Sequence, residues 1–185
     1  MERVADTVTP QALCAVVGAI DRDLGALLDR GLVLVCVDVR DPGNLGAVLR
    51  SAAAAGADGV ICCSGTVDLY NPKAVRSSAG ALFQVPIAID APIADALSQL
   101  ATAGYRCWAT VVRGGVDYTE ADLAGATALV LGNEAAGLPD QVVARLGGSL
   151  TIPMASATES LNVAMTAAVL SFEAARQRRA SSAAG

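Results

Sequence analysis

Three segments of the chain hold polar side chains at spacings that could bind or orient a reacting group. The first, DPGNLGAVLRSA, places Asn44 and Arg50 beside Gly43 and Gly46. Glycines here let backbone approach a ligand or a neighbouring loop, and a helix opening at this point offers N–H groups to an anion. The Arg50 guanidinium could grip a phosphate through two parallel bonds. Equally, the segment could simply cap a helix, with Arg50 as surface charge. The second segment, LVLGNEAAGLP, sets Gly132, Asn133 and Glu134 directly after an apolar run. Glu134 there either holds the loop by accepting from backbone N–H groups or is solvated. The third, IPMASATESLNVAM, carries Ser160 and Asn162 at a helix start. Ser160 alone signals an ordinary cap. Asn162 is more telling, because its amide both donates and accepts.

Composition removes several chemistries. Histidine is absent from all 185 residues, which excludes a Ser-His-Asp triad and His-ligated zinc. The five cysteines, Cys14, Cys36, Cys62, Cys63 and Cys107, lie in apolar surroundings with no C-x-x-C pair, and read as reduced core residues. No metal is expected. A net charge of −5 argues against a broad nucleic-acid-binding face. The counterweight is local: Arg50, Lys73, Arg76, Arg106 and Arg113 fall near loops or helix starts, and Arg176, Arg178 and Arg179 cluster late in the chain. No apolar stretch approaches the ~20 residues of a membrane span, and MERVADTVTP lacks a signal-peptide core. A cytoplasmic chain without membrane contact is the expectation.

The elements that must position these residues alternate in type. Branched apolar runs predict strands at Leu32 to Val39, Gly59 to Cys63, Leu82 to Ile89, Tyr105 to Val112, Ala128 to Leu131 and Leu150 to Pro153. Pro86 puts the third near a sheet edge. Helices are expected over Leu45 to Ala55, from the Asn71-Pro72 cap toward Ser78, over Pro92 to Ala103, after Pro139, and from Ser160 to about Arg178. This alternation predicts an α/β layer fold with a largely parallel sheet. Each of the three polar segments follows a strand, where open α/β sheets place their ligands. A dinucleotide-binding fold is disfavoured, since no G-x-G-x-x-G follows a strand and no acidic residue closes the second strand at Cys63.

Together these segments resemble the SpoU/TrmH branch of the SPOUT RNA methyltransferases. The likeness rests on Asn44, Gly46 and Arg50, on LVLGNEAAGL from Leu129 to Leu138, on IPM at Ile152 to Met154, and on SLNV at Ser160 to Val163. The intervening NPKAVRSSAGALFQVPI is also similar to the family, and the resemblance covers about residues 32 to 179. It implies an α/β SPOUT domain with a C-terminal deep trefoil knot, S-adenosylmethionine as cofactor, a homodimer, and methylation of a ribose 2'-hydroxyl in structured RNA, ribosomal RNA in preference to tRNA. The cofactor would rest on backbone around Thr110, Leu131, Gly132, Ile152, Met154 and Leu161. Catalytic weight would fall on Asn44, Arg50, Glu134, Ser160 and Asn162. A guanidinium is a poor base, so Arg50 is expected to orient ribose and phosphate and to stabilise the developing alkoxide.

Two departures qualify the resemblance. Ala135 and Ala136 stand where the family more often has Gly and a polar or basic residue. Many relatives also carry an L30e-like RNA-binding domain first, and residues 1–30 read as the last strand or remnant of one, in a shortened or naturally reduced chain. The catalytic domain is then 31–179 and a disordered tail 180–185. The rival reading is a dimeric module that binds cofactor or RNA without turnover.

Overall fold

A computed structural model of the protein describes residues 15–29, 31–155 and 160–183. Seven strands form one sheet: β1 Leu32–Cys36, β2 Gly59–Cys63, β3 Ile87–Ala91, β4 Arg106–Thr110, β5 Val116–Asp117, β6 Thr127–Leu131 and β7 Gly148–Thr151. Between them run α1 Pro42–Ala55, α2 Pro72–Ser77, α3 Ile93–Thr102 and α4 Asp140–Val143, and α5 Val163–Ala183 closes the fold. Single 3-10 turns occur at Leu24–Leu27 and Ala81–Phe83. The strand order is β3-β2-β1-β6-β4-β7-β5, and every adjacent pair is parallel.

The apolar runs become strands because the sheet is covered on both faces, so inward and outward positions alike must be apolar. In β1, Leu32, Leu34 and Cys36 point into a core shared with Leu45, Val48 and Leu49 of α1 and Ala167, Leu170 and Ala174 of α5. Val33 and Val35, on the opposite face, join Leu27 and the Ala96, Leu97 and Leu100 stripe of α3. β3 lies at the sheet edge, as Pro86 indicates, but starts only at Ile87 because a 3-10 turn occupies Ala81–Phe83. The two-residue β5 is too short for periodicity to reveal.

Three helix boundaries differ from the sequence expectation by three residues or more, among them the start of α5, which lies at Val163 and not Ser160, with the Asn162 Oδ1 accepting from the Ala164 N–H just before it. α1 begins at Pro42, not Leu45: the Asp41 side chain caps it by accepting from the Asn44 N–H, and proline suits the first turn. α5 continues to Ala183, so residues 180–183 are helical where a disordered tail is expected. The strand expected within the first residues falls mainly outside the described part, as does Cys14, and Ala15 to Val17 form no strand. No described helix is long and apolar enough to cross a membrane.

Sheet order decides where the loops go. With β1 central between β2 and β6, and β4 beyond β6 beside β7, the segments after β1, β6, β4 and β7 all emerge along one edge. Connections leave β1 and β6 in a crevice at their carboxyl ends, the place where such sheets bind ligands.

Candidate functional site

The three polar segments meet at that edge through side chains far apart in sequence. Asn44, in the first turn of α1, donates from Nδ2 to Glu134 Oε1 at 2.9 Å and accepts at Oδ1 from Asn162 Nδ2, also at 2.9 Å. Asn162 Oδ1 in turn accepts from the Ala164 N–H at 2.8 Å, at the start of α5. Both asparagine amides thus have each end assigned, and their orientation follows from the network.

Glu134 closes this chain. Besides Asn44, its carboxylate accepts from the backbone N–H groups of Asp41 at 3.1 Å and Arg40 at 3.2 Å. Burial works to raise its pKa. The hydrogen bonds from Asn44 and from the N–H groups of Glu134 itself, Asp41 and Arg40 outweigh that and hold it below the usual carboxylate range. Protonation would cost this carboxylate part of those bonds, which is why they favour its ionised form. Asp41 is held low as well, first by Lys73, whose Nζ lies 3.0 Å from Oδ2, and then by the Asn44 N–H. The opening turn of α1 therefore already faces two of the protein's own carboxylates. The anion-binding role expected there for phosphate is filled by Asp41 and Glu134.

Asn133 shapes the second loop. Its Oδ1 accepts from the N–H groups of Ala135 and Ala136 at 3.0 Å each, and its backbone pairs with Gly137 in both directions. This turn folds back on Gly132, where a Cβ would come within 2.4 Å of the Gly137 carbonyl carbon. Only glycine fits position 132, and the reason is contact within the loop.

A cavity of about 230 Å³ lies among these loops. Thr110, Gly132, Ile152, Met154 and Leu161, five of the six residues expected to hold a cofactor, line it. Leu131 does not. Its side chain is fully buried in the sheet and its carbonyl accepts from the Val37 N–H, because it is the last residue of β6. The Thr110 hydroxyl is committed to the Val130 carbonyl at 2.9 Å, leaving backbone as its means of contact. Leu150, Val163 and Leu170 add apolar wall, and Glu134 is the one charged side chain among the described lining residues.

Of the five residues given catalytic weight, Asn44, Glu134 and Asn162 are joined directly. Ser160 lines the cavity with an exposed side chain. Arg50 is exposed, is not among the lining residues, and makes no hydrogen bond or ion pair among the described residues. Six residues past Asn44, it stands about 9 Å further along α1 and about a third of a turn round. Asp38 and Asp41 do not stand out as site residues in the sequence, and Lys73 and Asn133 stand out there only by type and place, without these partners. For Asp41 a signal existed, since Asp followed by Pro marks a helix start. For the others no local pattern does.

The chain is similar to known proteins along most of its length. Residues 31–172 match the model of the SpoU rRNA Methylase family. The 23S rRNA (guanosine(2553)-2'-O)-methyltransferase RlmP of Bacillus subtilis is 34% identical over 169 residues, covering 91% of this chain and 66% of that protein. The SpoU methyltransferase AviRb of Streptomyces viridochromogenes, solved in complex with AdoMet, superposes with a TM-score of 0.75 at 35% identity, over 80% of this chain and 58% of that one. A structure concerned with 2-OH methylation of C/U34 on tRNA superposes with a TM-score of 0.74 at 33% identity, over 82% of this chain and 98% of that one. The chain spans roughly half to two thirds of the curated rRNA methyltransferases it matches, at 66%, 53% and 61% of their lengths. With a family match over residues 31–172, and with the three polar segments joined through Asn44, Glu134 and Asn162, the chain belongs to the SpoU rRNA methylase family.

Proposed function

We propose that the protein methylates a ribose 2'-hydroxyl of structured RNA with S-adenosylmethionine as donor, and that ribosomal RNA is its substrate in preference to tRNA. The observation that carries this reading is the Asn162–Asn44–Glu134 chain, which ties all three motif loops together at the rim of the cavity. The relatives named for 23S rRNA support the choice of RNA.

The cavity fits the donor chemically. Leu150, Ile152, Leu161, Val163 and Leu170 offer an apolar wall suited to a purine, and the ionised Glu134 offsets a sulfonium charge. Thr110, Gly132, Ile152, Met154 and Leu161 would hold it, chiefly through backbone, with Leu131 acting from beneath as part of the sheet. When bound, the cofactor supplies an electrophilic methyl group. The protein's task is then alignment of the hydroxyl and loss of its proton. Asn44 and Asn162 give the rim fixed amide dipoles, Glu134 holds Asn44, and Ser160 offers a hydroxyl at the mouth. Arg50 would orient the ribose and its phosphate and stabilise the alkoxide, with the proton leaving to phosphate or water.

We also assign the chain a homodimer, a cytoplasmic location, a catalytic domain over 31–179, an N-terminal segment 1–30 related to an L30e-like domain, and a C-terminal trefoil knot. α5 supports the dimer: Met165 and Phe172, seven residues apart on one face, are 60% and 48% exposed. α1, which carries Arg50, packs along α5, so an interface there would lie close to Arg50. For the knot, α5 returns from β7, beyond β4, to pack against α1, β1 and β6.

Transfer of labelled methyl from S-adenosylmethionine into ribosomal RNA and into tRNA, followed by mapping of 2'-O-methyl positions, tests the proposal. Methylation of ribosomal RNA is expected. Cofactor binding with no transfer to either RNA would favour the module without turnover.

A further inference from the structure

Asp38 sits where the loops after β1 and β6 meet, and its φ is 56°. Aspartate enters this left-handed region more readily than most side chains, but still at a cost that its surroundings must offset. Here the holder is Asn133, whose Nδ2 donates to the Asp38 carbonyl oxygen at 2.8 Å and to its Oδ2 at 3.3 Å. The other end of the same amide accepts from Ala135 and Ala136. One side chain thus grips Asp38 on one side and the 133–137 turn, a wall of the cavity, on the other.

We propose that Asp38 is a positioning residue: its left-handed backbone aims its carbonyl at Asn133, and so sets where the 133–137 turn stands against the cavity. The consequence for cofactor affinity rests on reading that cavity as the S-adenosylmethionine site. The requirement is mainly conformational. The carboxylate is secondary, since its bond to Asn133 is the longer of the two and its ion pair with Arg40 is solvent-exposed.

Asp38→Gly and Asp38→Val separate these contributions, because both delete the carboxylate while only valine resists a positive φ. Calorimetry with S-adenosylmethionine and amide hydrogen exchange at Ala135 and Ala136, referred to the amides of β1, are the readouts. The glycine variant is expected within about twofold of the parent in both. The valine variant is expected to bind about tenfold more weakly, with faster exchange at those two amides in particular. Should the valine chain fail to fold, Asp38→Ala imposes a milder penalty of the same kind. Unchanged exchange at Ala135 and Ala136 in the valine or alanine variant overturns the proposal, and so does a glycine variant loosened as much as valine. If the parent protein does not bind S-adenosylmethionine while valine still frees the two amides, the cofactor reading fails and the positioning role stands.

Discussion

Replacing Asn44 by alanine removes the donor to Glu134 and the acceptor for Asn162 in one step, and so unlinks the three loops. A hydrogen bond between neutral groups contributes about 0.5–1.5 kcal/mol net, and one to a charged group about 1.5–3 kcal/mol. Asn44 is half-buried and both its partners are exposed, so water reoccupies part of what is lost, and the low end of each range applies. A total of about 2 kcal/mol follows, or roughly 4–8 °C in Tm for a domain of this size. The cap on α1 survives, because it uses the Asn44 backbone N–H. Activity should suffer far more than stability, since a displacement of about 1 Å in a positioned group can cost about a hundredfold in rate. Thermal unfolding, cofactor calorimetry and methyl transfer on one preparation separate the effects. Asn44→Asp sharpens the test by setting a second carboxylate against Glu134, and is expected to fall below the alanine variant above neutral pH. An alanine variant within about threefold of the parent in kcat/KM would refute the claim that this linkage orients the site.

Other consequences are as direct. Gly132→Ala drives a methyl group into the backbone of Gly137 and Leu138, and should cost about 1–3 kcal/mol with loss of cofactor binding; calorimetry at full affinity would contradict it. Glu134 and Asp41 both have carboxyls held below their ordinary values of 4.5 and 3.8, so the stability they confer is complete above those values and lost as pH falls through the lower folded ones. Acid denaturation followed by fluorescence should therefore be shallower in Glu134→Gln than in the parent, and equal slopes would exclude this role. Burial pushes the Cys63 thiol up to about 12 and Cys107 to about 11, while a bond with Cys62, together with burial, raises Cys36 well above its usual value. At neutral pH these three thiols should react with a disulfide reagent only on unfolding, and fast labelling of any of them in the native protein would contradict their placement.

The strands were readable because a sheet covered on both faces demands continuous apolar runs, and LVLVC and GVICC can satisfy little else. The start of α1 was misplaced by three residues because a Gly-rich first turn hides the cap that Asp41 supplies. β5 could not be seen at all, as two residues carry no period. Within the site, the motif loops were legible by type and order, and five of the six residues expected to hold a cofactor line the cavity. Leu131 does not line the cavity for a plain reason: adjacency to Gly132 along the chain does not carry a strand side chain out of the core.

By itself the sequence determined which residues could bond, since residue type sets donors and acceptors, and where strands give way to loops, since periodicity and glycine do. Tertiary structure decided who bonds to whom. Asn44 meets Glu134 across 90 residues and Asn162 across 118 because β1 and β6 lie side by side while α5 returns along α1, and long-range pairing of that kind has no local signature. The same packing gave the α1 terminus to protein carboxylates, left Arg50 facing outward, and bent Asp38 into a left-handed turn whose carbonyl meets Asn133.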